Sequence, residues 1–455
     1  MVFRPRAAAM SESRSDRKDL RSHIPGKLLI KVKTDALREG PAEAGIRRLS
    51  RGVAAAPERL REPLQYLLDN AGLQPDSITP LFTMKGAEGG IRRLSRGPAS
   101  LAATAREGSA VDETLRGISL LTLDARKLTP ALLKKLRDDD RFEYVEQAPA
   151  RWLAARRPAA TAAVDPLVNS QWGLRAIRWF QATIPNAQTV GVAVLDTGID
   201  LTHPDFRGVA VDYKHYEASK TDRVGHGTHV AGIIGAMPNN QVGIAGVARC
   251  QLHAFKVFGD TLEQGDPVFE TEAFNAALAE CLTNNSIRVL NLSLGGTESS
   301  ETERRAFRAL HARGKLVVAA MGNEFEDGNP VEYPAAYDGV VAVGAADPVG
   351  RRADFSNTGS HIGLVAPGTG ILSLLPTKPD AIRTETNYAA WDGTSMATPH
   401  VAAAAALLFA KSPQLTWSQA RKKLLAGTRR LPTMPKSGHS PDFGSGLLDL
   451  SKLLK

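Results

Sequence analysis

From Gly191 onward the chain repeats one pattern, a short and nearly continuous apolar strand followed by a stretch of helical character. Gly191–Asp196 (GVAVLD), Arg288–Leu294 (RVLNLSL), Lys315–Met321 (KLVVAAM) and Gly339–Ala345 (GVVAVGA) are the clearest strands. A strand that is apolar on both faces must be covered on both faces, and helices between successive strands supply that cover. The pattern predicts an α/β fold, a mostly parallel sheet with helices on both faces, over residues 165–455. A stretch of about 290 residues suits one large domain of this kind.

The preceding part has a different texture. Residues 1–24 are rich in Arg, Ala and Ser and lack the apolar run of a secretory signal. They read as a disordered tail, and the expectation is an intracellular or unconventionally exported protein, secreted only if the start codon is mis-assigned. Residues 25–147 read as a small α+β domain, with strands from Lys27, at 117–124 and at 141–147, and a helix from Pro130 to Leu136. Residues 148–164 (APARWLAARRPAATAAV) read as an exposed linker. An octapeptide, GIRRLSRG, occurs twice, at 45–52 and 90–97. Two copies do not make a solenoid, so a local duplication or a recognition element remains.

The net charge of +9 belongs to the N-terminal third. Residues 1–164 carry 30 Lys and Arg against 20 Asp and Glu, and residues 165–455 carry 27 against 28. No basic stripe marks the main domain, which argues against nucleic-acid binding. Val401–Ala410 is apolar but closed by Lys411, too short for a membrane span of about 20 residues. Two cysteines, Cys250 and Cys281, make neither a disulfide scaffold nor a four-cysteine zinc site. They read as buried residues, free thiols or a single disulfide.

Three segments carry polar residues that a core would not need. Asp196 ends an apolar strand in Val192-Ala-Val-Leu-Asp-Thr-Gly. His226 and His229 sit in Gly225-His-Gly-Thr-His-Val-Ala-Gly232, which is not a His-Glu-x-x-His zinc motif. Ser395 stands in Gly393-Thr-Ser-Met-Ala-Thr-Pro-His400, at the start of an alanine-rich helix. Taken together and in the order Asp, His, Ser, they resemble the subtilisin-like serine protease family, whose chain order is known to be this one. The resemblance runs from about Asp165 to Leu450.

The resemblance implies a serine endopeptidase acting on polypeptides through an acyl-enzyme. Ser395 is its nucleophile, His226 the general base and Asp196 the group that orients the imidazole. Asn323, after the strand Val317–Met321, is the side-chain donor to the oxyanion. Ser293, Leu294 and Gly295 resemble the edge segment on which an extended peptide pairs, Gly295 allowing close approach. Glu324 and Glu332 align with the main specificity pocket, where carboxylates favour Lys or Arg. Asp205, Asn240 and the carbonyls of Pro238, Val242 and Ile244 resemble a structural calcium site, with Asp165 a looser addition; no catalytic metal is implied. Met396, beside the nucleophile, is an oxidation-sensitive position.

The family's inhibitory N-terminal prodomain, ferredoxin-like in fold, has its counterpart in residues 25–147. Self-processing then falls in 148–164, where Arg151 and Arg156 are better candidates than Arg157, which precedes a proline. The competing reading is an inactive relative that binds peptides without cutting them.

Overall fold

A computed structural model of the chain describes residues 23–33, 77–81, 115, 118–124, 126, 128–153, 166–216, 219–263, 266–380, 382–435 and 438–455. Both octapeptide copies, residues 154–165 and hence Asp165 lie outside the described residues.

The N-terminal part is built on β1 (His23–Val32), β2 (Ser77–Pro80), β3 (Ile118–Thr122) and β4 (Phe142–Pro149), antiparallel in the order β2-β3-β1-β4. β1 is central, and Leu28, Leu29 and Ile30 are all buried, as a strand covered on both faces requires. A helix, Pro130–Arg137, connects β3 to β4. Its start is fixed by Thr129, whose side chain accepts from Leu132 N, and by a proline in its first turn. These elements make an α+β unit. A ferredoxin-like unit needs a second helix between β1 and β2, and residues 34–76 lie outside the described residues.

The expected exposed linker is corrected at its start. Ala148 is fully buried and Arg151 is 3% exposed. Beyond β4 the chain forms β5 (Trp152–Leu153), a strand of the neighbouring domain's cleft. Ala and Pro give no strand signal of their own. Here the pairing comes from the partner edge, through backbone groups that every residue carries.

The large domain contains β6 (Ala187–Asp196), β7 (Val211–His215), β8 (Cys250–Lys256), β9 (Phe258–Glu263), β10 (Asp266–Phe269), β11 (Ile287–Leu292), β12 (Leu294–Gly295), β13 (Leu316–Ala320), β14 (Val341–Ala346), β15 (Ile362–Pro367), β16 (Ile371–Leu374), β17 (Tyr388–Trp391), β18 (Thr428–Arg429) and β19 (Leu447–Leu448). Nine of them form one sheet in the order β18-β19-β15-β14-β13-β11-β6-β8-β7. Every pairing in it is parallel except β18 with β19.

Alternate residues of β6 feed two cores. Val192 and Val194 pack with the helices His226–Gly235 and Thr394–Lys411, and Ala193 and Leu195 with the helices Thr271–Thr283 and Glu301–Ala312. The α/β expectation therefore holds, with helices on both faces. Thr394–Lys411 is apolar all round and buried over nearly its whole length, the pattern of a helix in a core. Among the described residues no helix is long and apolar enough to cross a membrane. Cys250 and Cys281 are free and buried, and burial pushes the Cys250 thiol up to about 12 and the Cys281 thiol higher still.

Candidate active site

The order of the sheet reverses at β6, whose neighbours are β8 on one side and β11 on the other. In open α/β sheets the crevice beyond the carboxyl ends of the strands at such a point is where ligands bind. Asp196 is the last residue of β6. His226 opens the helix that follows β7.

The two are drawn together by a buried hub that the sequence reading missed. The Asp222 carboxylate accepts from Gly225 N (2.8 Å), Thr228 N (2.9 Å), Thr228 Oγ1 (2.6 Å) and Thr197 Oγ1 (2.8 Å). Thr197 Oγ1 in turn accepts from Gly227 N at 2.9 Å. The neighbour of Asp196 is thus tied to the neighbour of His226. A Cβ on Gly227 would lie 2.1 Å from Gly198 O, so glycine is required for this approach. Asp222 neutralises the donors of a helix N-terminus; its place three residues before Gly225 was the signal available in the sequence.

The outcome is an imidazole N–H at Nδ1 of His226 donating to Asp196 Oδ1 at 2.7 Å, with both residues 1% exposed. Asp196 Oδ1 also accepts from Thr197 N at 2.8 Å. A proton held on Nδ1 leaves Nε2 with the lone pair that a base needs. Lys256, buried at the end of β8, donates to Thr197 O and to Asp260, each at 2.8 Å, and was likewise missed. His229 has different surroundings. Its Nε2 faces Ala389 O at 3.1 Å, its ring stacks on Trp391 at 4.8 Å, and burial pushes its pKa down to about 3.

Ser395 is the second residue of its helix. Pro399, four residues on, has no N–H, so the Ser395 carbonyl loses its intrahelical donor. Ser293 Oγ takes that place at 2.9 Å, and Ser395 Oγ donates to Ser293 O at 2.8 Å. This reciprocal pair joins the end of β11 to the serine. Asn323 follows β13, and its Oδ1 accepts from Thr394 N (2.9 Å) and Thr394 Oγ1 (3.0 Å). With the oxygen committed there, the amide nitrogen is its donor end.

β12, the edge expected to receive a peptide, carries one in this structure. Leu294 pairs with Leu153 and Gly295 with Trp152, antiparallel. The close approach falls on a different glycine from the one expected. A Cβ on Gly296 would stand 2.5 Å from Ala150 O, whereas one on Gly295 would meet Glu332 Oε2 at 2.4 Å. Gly295 thus makes room for a carboxylate. Glu332 is fully buried and Glu324 is 7% exposed, so neither is a solvated surface acid. Arg151, just before β5, places its guanidinium 2.7 Å from Glu303, a further missed residue, with both side chains buried.

The N-terminal sheet meets the same region. Glu146 of β4 accepts from Ser300 Oγ (2.6 Å), Glu301 N (2.9 Å) and Thr302 N (3.2 Å), capping the helix Glu301–Ala312. Tyr144 OH lies 2.8 Å from Thr302 Oγ1, and Arg305 pairs with Glu143 at 2.6 Å.

Away from the cleft, Asp205 gathers the loop expected to bind calcium. Its Oδ1 accepts from Asn240 Nδ2 (3.1 Å), and its Oδ2 accepts from Ile244 N (3.0 Å) and Tyr388 OH (3.1 Å). Burial raises its pKa despite these donors. Asn239, Gln241 and Gly243 alternate along the loop in left-handed backbone, with φ of 60, 65 and 50°. Among the described residues no group of three or more His, Cys, Asp or Glu could hold a metal; the donor set here is one carboxylate, one amide and loop carbonyls.

Comparison with known proteins places these residues in context. The subtilase family (Peptidase S8) matches residues 187–446. Subtilisin DY of Bacillus licheniformis is 38% identical over 267 residues, 57% of this chain and 89% of its own. Subtilisin Savinase of Lederbergia lenta is 42% identical over 263 residues, 57% of this chain and 88% of its own. An alkaline protease of Alkalihalobacillus alcalophilus is 36% identical over 353 residues, 77% of this chain and 83% of its own, a match that reaches into the N-terminal part. In structure, fervidolysin from Fervidobacterium pennivorans, a keratinolytic enzyme related to subtilisin, shares the fold with a TM-score of 0.65 at 23% identity. That match covers 95% of this chain, which spans 61% of the fervidolysin chain.

Proposed function

Because the chain belongs to the subtilase family and is a serine endopeptidase, we propose that Asp196, His226, Ser395 and Asn323 carry its reaction. The observation that supports this most is the buried 2.7 Å contact of His226 Nδ1 with Asp196 Oδ1. Asp196 fixes the tautomer, so Nε2 takes the Ser395 hydroxyl proton as Oγ attacks the peptide carbonyl. Asn323 and the backbone N–H of Ser395 meet the oxygen that becomes negative. His226 then hands the proton to the leaving amine, and water releases the acyl group by the same path in reverse.

Polypeptides bind by adding a strand to β12, along Ser293, Leu294 and Gly295. Glu332, buried beside Gly295, and Glu324, which accepts from Asn323 N, lie at the main pocket. In the uncut chain the site is closed by the protein's own β5. The N-terminal domain is an intramolecular inhibitor that the enzyme removes by cutting within 154–164. Ser395 Oγ, donating to Ser293 O, is in a resting orientation, which suits an occupied cleft.

A structural calcium ion is held by Asp205, Asn240 and the carbonyls of Pro238, Val242 and Ile244. One buried carboxylate, one amide and the carbonyls of a tightly turned loop are the oxygen-bearing groups that suit a hard cation. The ion braces the loop and takes no part in the reaction. Peptide hydrolysis by the wild-type chain beside Ser395→Ala tests the proposal. Retained cleavage in purified Ser395→Ala would overturn it.

A further inference from the structure

The segment lying in the cleft shows what the cleft reads. Trp152 is opposite Gly295 and Leu153 opposite Leu294, and the next residue of the edge is Ser293, whose carbonyl receives Ser395 Oγ. A strand that extends this pairing by one residue therefore reaches Ser395. Counting back from there, Arg151 is the residue whose side chain leaves the strand into a closed pocket. The guanidinium is 0% exposed and the Glu303 carboxylate 4%, and the two are 2.7 Å apart. Gly296 leaves the space through which this part of the chain passes.

We propose that Glu303 is a specificity-determining residue that selects arginine three residues before the residue whose carbonyl is attacked. In this chain the bond cut is then Ala154–Ala155, with Arg151 as the recognised residue rather than the one preceding the cut. The inference rests on Ser395 being the nucleophile. A buried carboxylate whose cationic partner is missing is costly, and a site built around such a pair rejects ligands that lack the charge.

A sequence fact bears on this independently. The order Arg, any residue, Leu, then Ala or Ser occurs three times in the chain: at 151–154, at Arg47–Ser50 and at Arg92–Ser95. The last two are the cores of the repeated octapeptide. The duplicated sequence is thus two further substrates of the same enzyme, cut after Ser50 and after Ser95.

The test uses the wild-type chain and two synthetic peptides that contain Gly-Ile-Arg-Arg-Leu-Ser-Arg-Gly within unrelated flanks, one with its first Arg replaced by Gln. The expected products end in Ser, and the Arg peptide is cut with a kcat/KM at least about tenfold higher, as the loss of a charged hydrogen bond requires. In Glu303→Gln that ratio falls to near unity, and N-terminal sequencing of the processed wild-type enzyme begins at Ala155. Equal cutting of both peptides by the wild-type chain overturns the inference without touching the role of Ser395. Cutting of neither peptide, with casein also left intact, overturns both.

Discussion

The two sheets of this protein hold their polar groups in opposite ways. In the large domain Asp196, His226, Asp222, Thr197 and Ser395 are all buried, and each is fixed by partners distant in sequence. The N-terminal sheet attaches through the rim contacts of Glu146, Glu143 and Tyr144, and through β5 and Arg151 in the cleft. The first arrangement is preorganised and costly to alter; the second is made of contacts between two units. The inhibitory role proposed for the N-terminal domain needs both, and the difference predicts where substitutions abolish chemistry and where they loosen the attachment.

The largest effects belong to the buried set. Asn323→Leu should lower kcat by about 10²–10³, the size known for this donor in a subtilisin, with KM little changed; a change in KM alone would count against its role. Next comes the rim. In uncut Ser395→Ala, Glu146→Gln should weaken docking of the N-terminal sheet by about 1.5–3 kcal/mol, since it removes charge-assisted hydrogen bonds. Faster removal of that region by added trypsin would report this, and an unchanged rate would show that β5 alone holds the domain.

Smaller effects concern the large domain's stability. His229 and His400 are buried, with pKa values pushed down to about 3 and about 4. Such groups bind protons more readily when unfolded, so their contribution is complete above about pH 6.5 and is lost as pH falls toward those values. Urea unfolding of Ser395→Ala should therefore show declining stability between about pH 6.5 and 4, and flat stability there would contradict the assignment. Removing calcium with a chelator should lower the unfolding temperature by a few degrees, and Asp205→Asn should abolish that difference; equal shifts in both proteins would place the ion elsewhere. Peroxide that oxidises Met396 should reduce turnover. Because Met396 is fully buried, the loss should follow slow opening of the structure.

The apolar strands made the α/β fold legible, and the three motif segments marked the residues proposed to react, which stand at a strand end (Asp196) and at helix starts (His226, Ser395). The hub at Asp222 and the buried Lys256 were missed because, beside local partners such as Thr228 and Asp260, each is tied to Thr197, on a segment that only the folded sheet brings near. Glu303 looked like one more acid in the first turn of a helix. Residues 148–153 misled for a related reason: backbone pairing to β12 leaves no mark on side-chain periodicity, and only Arg151, a charge whose carboxylate partner lies on another element, betrays it.

Reaction with a serine-directed fluorophosphonate, mapped by peptide mass, bears most directly on the linked carboxylate, imidazole and hydroxyl. The wild-type enzyme, freed of its N-terminal segment, should carry the label on Ser395, and His226→Ala should react slower by several orders of magnitude. Label on another serine, or an undiminished rate in His226→Ala, would contradict the account.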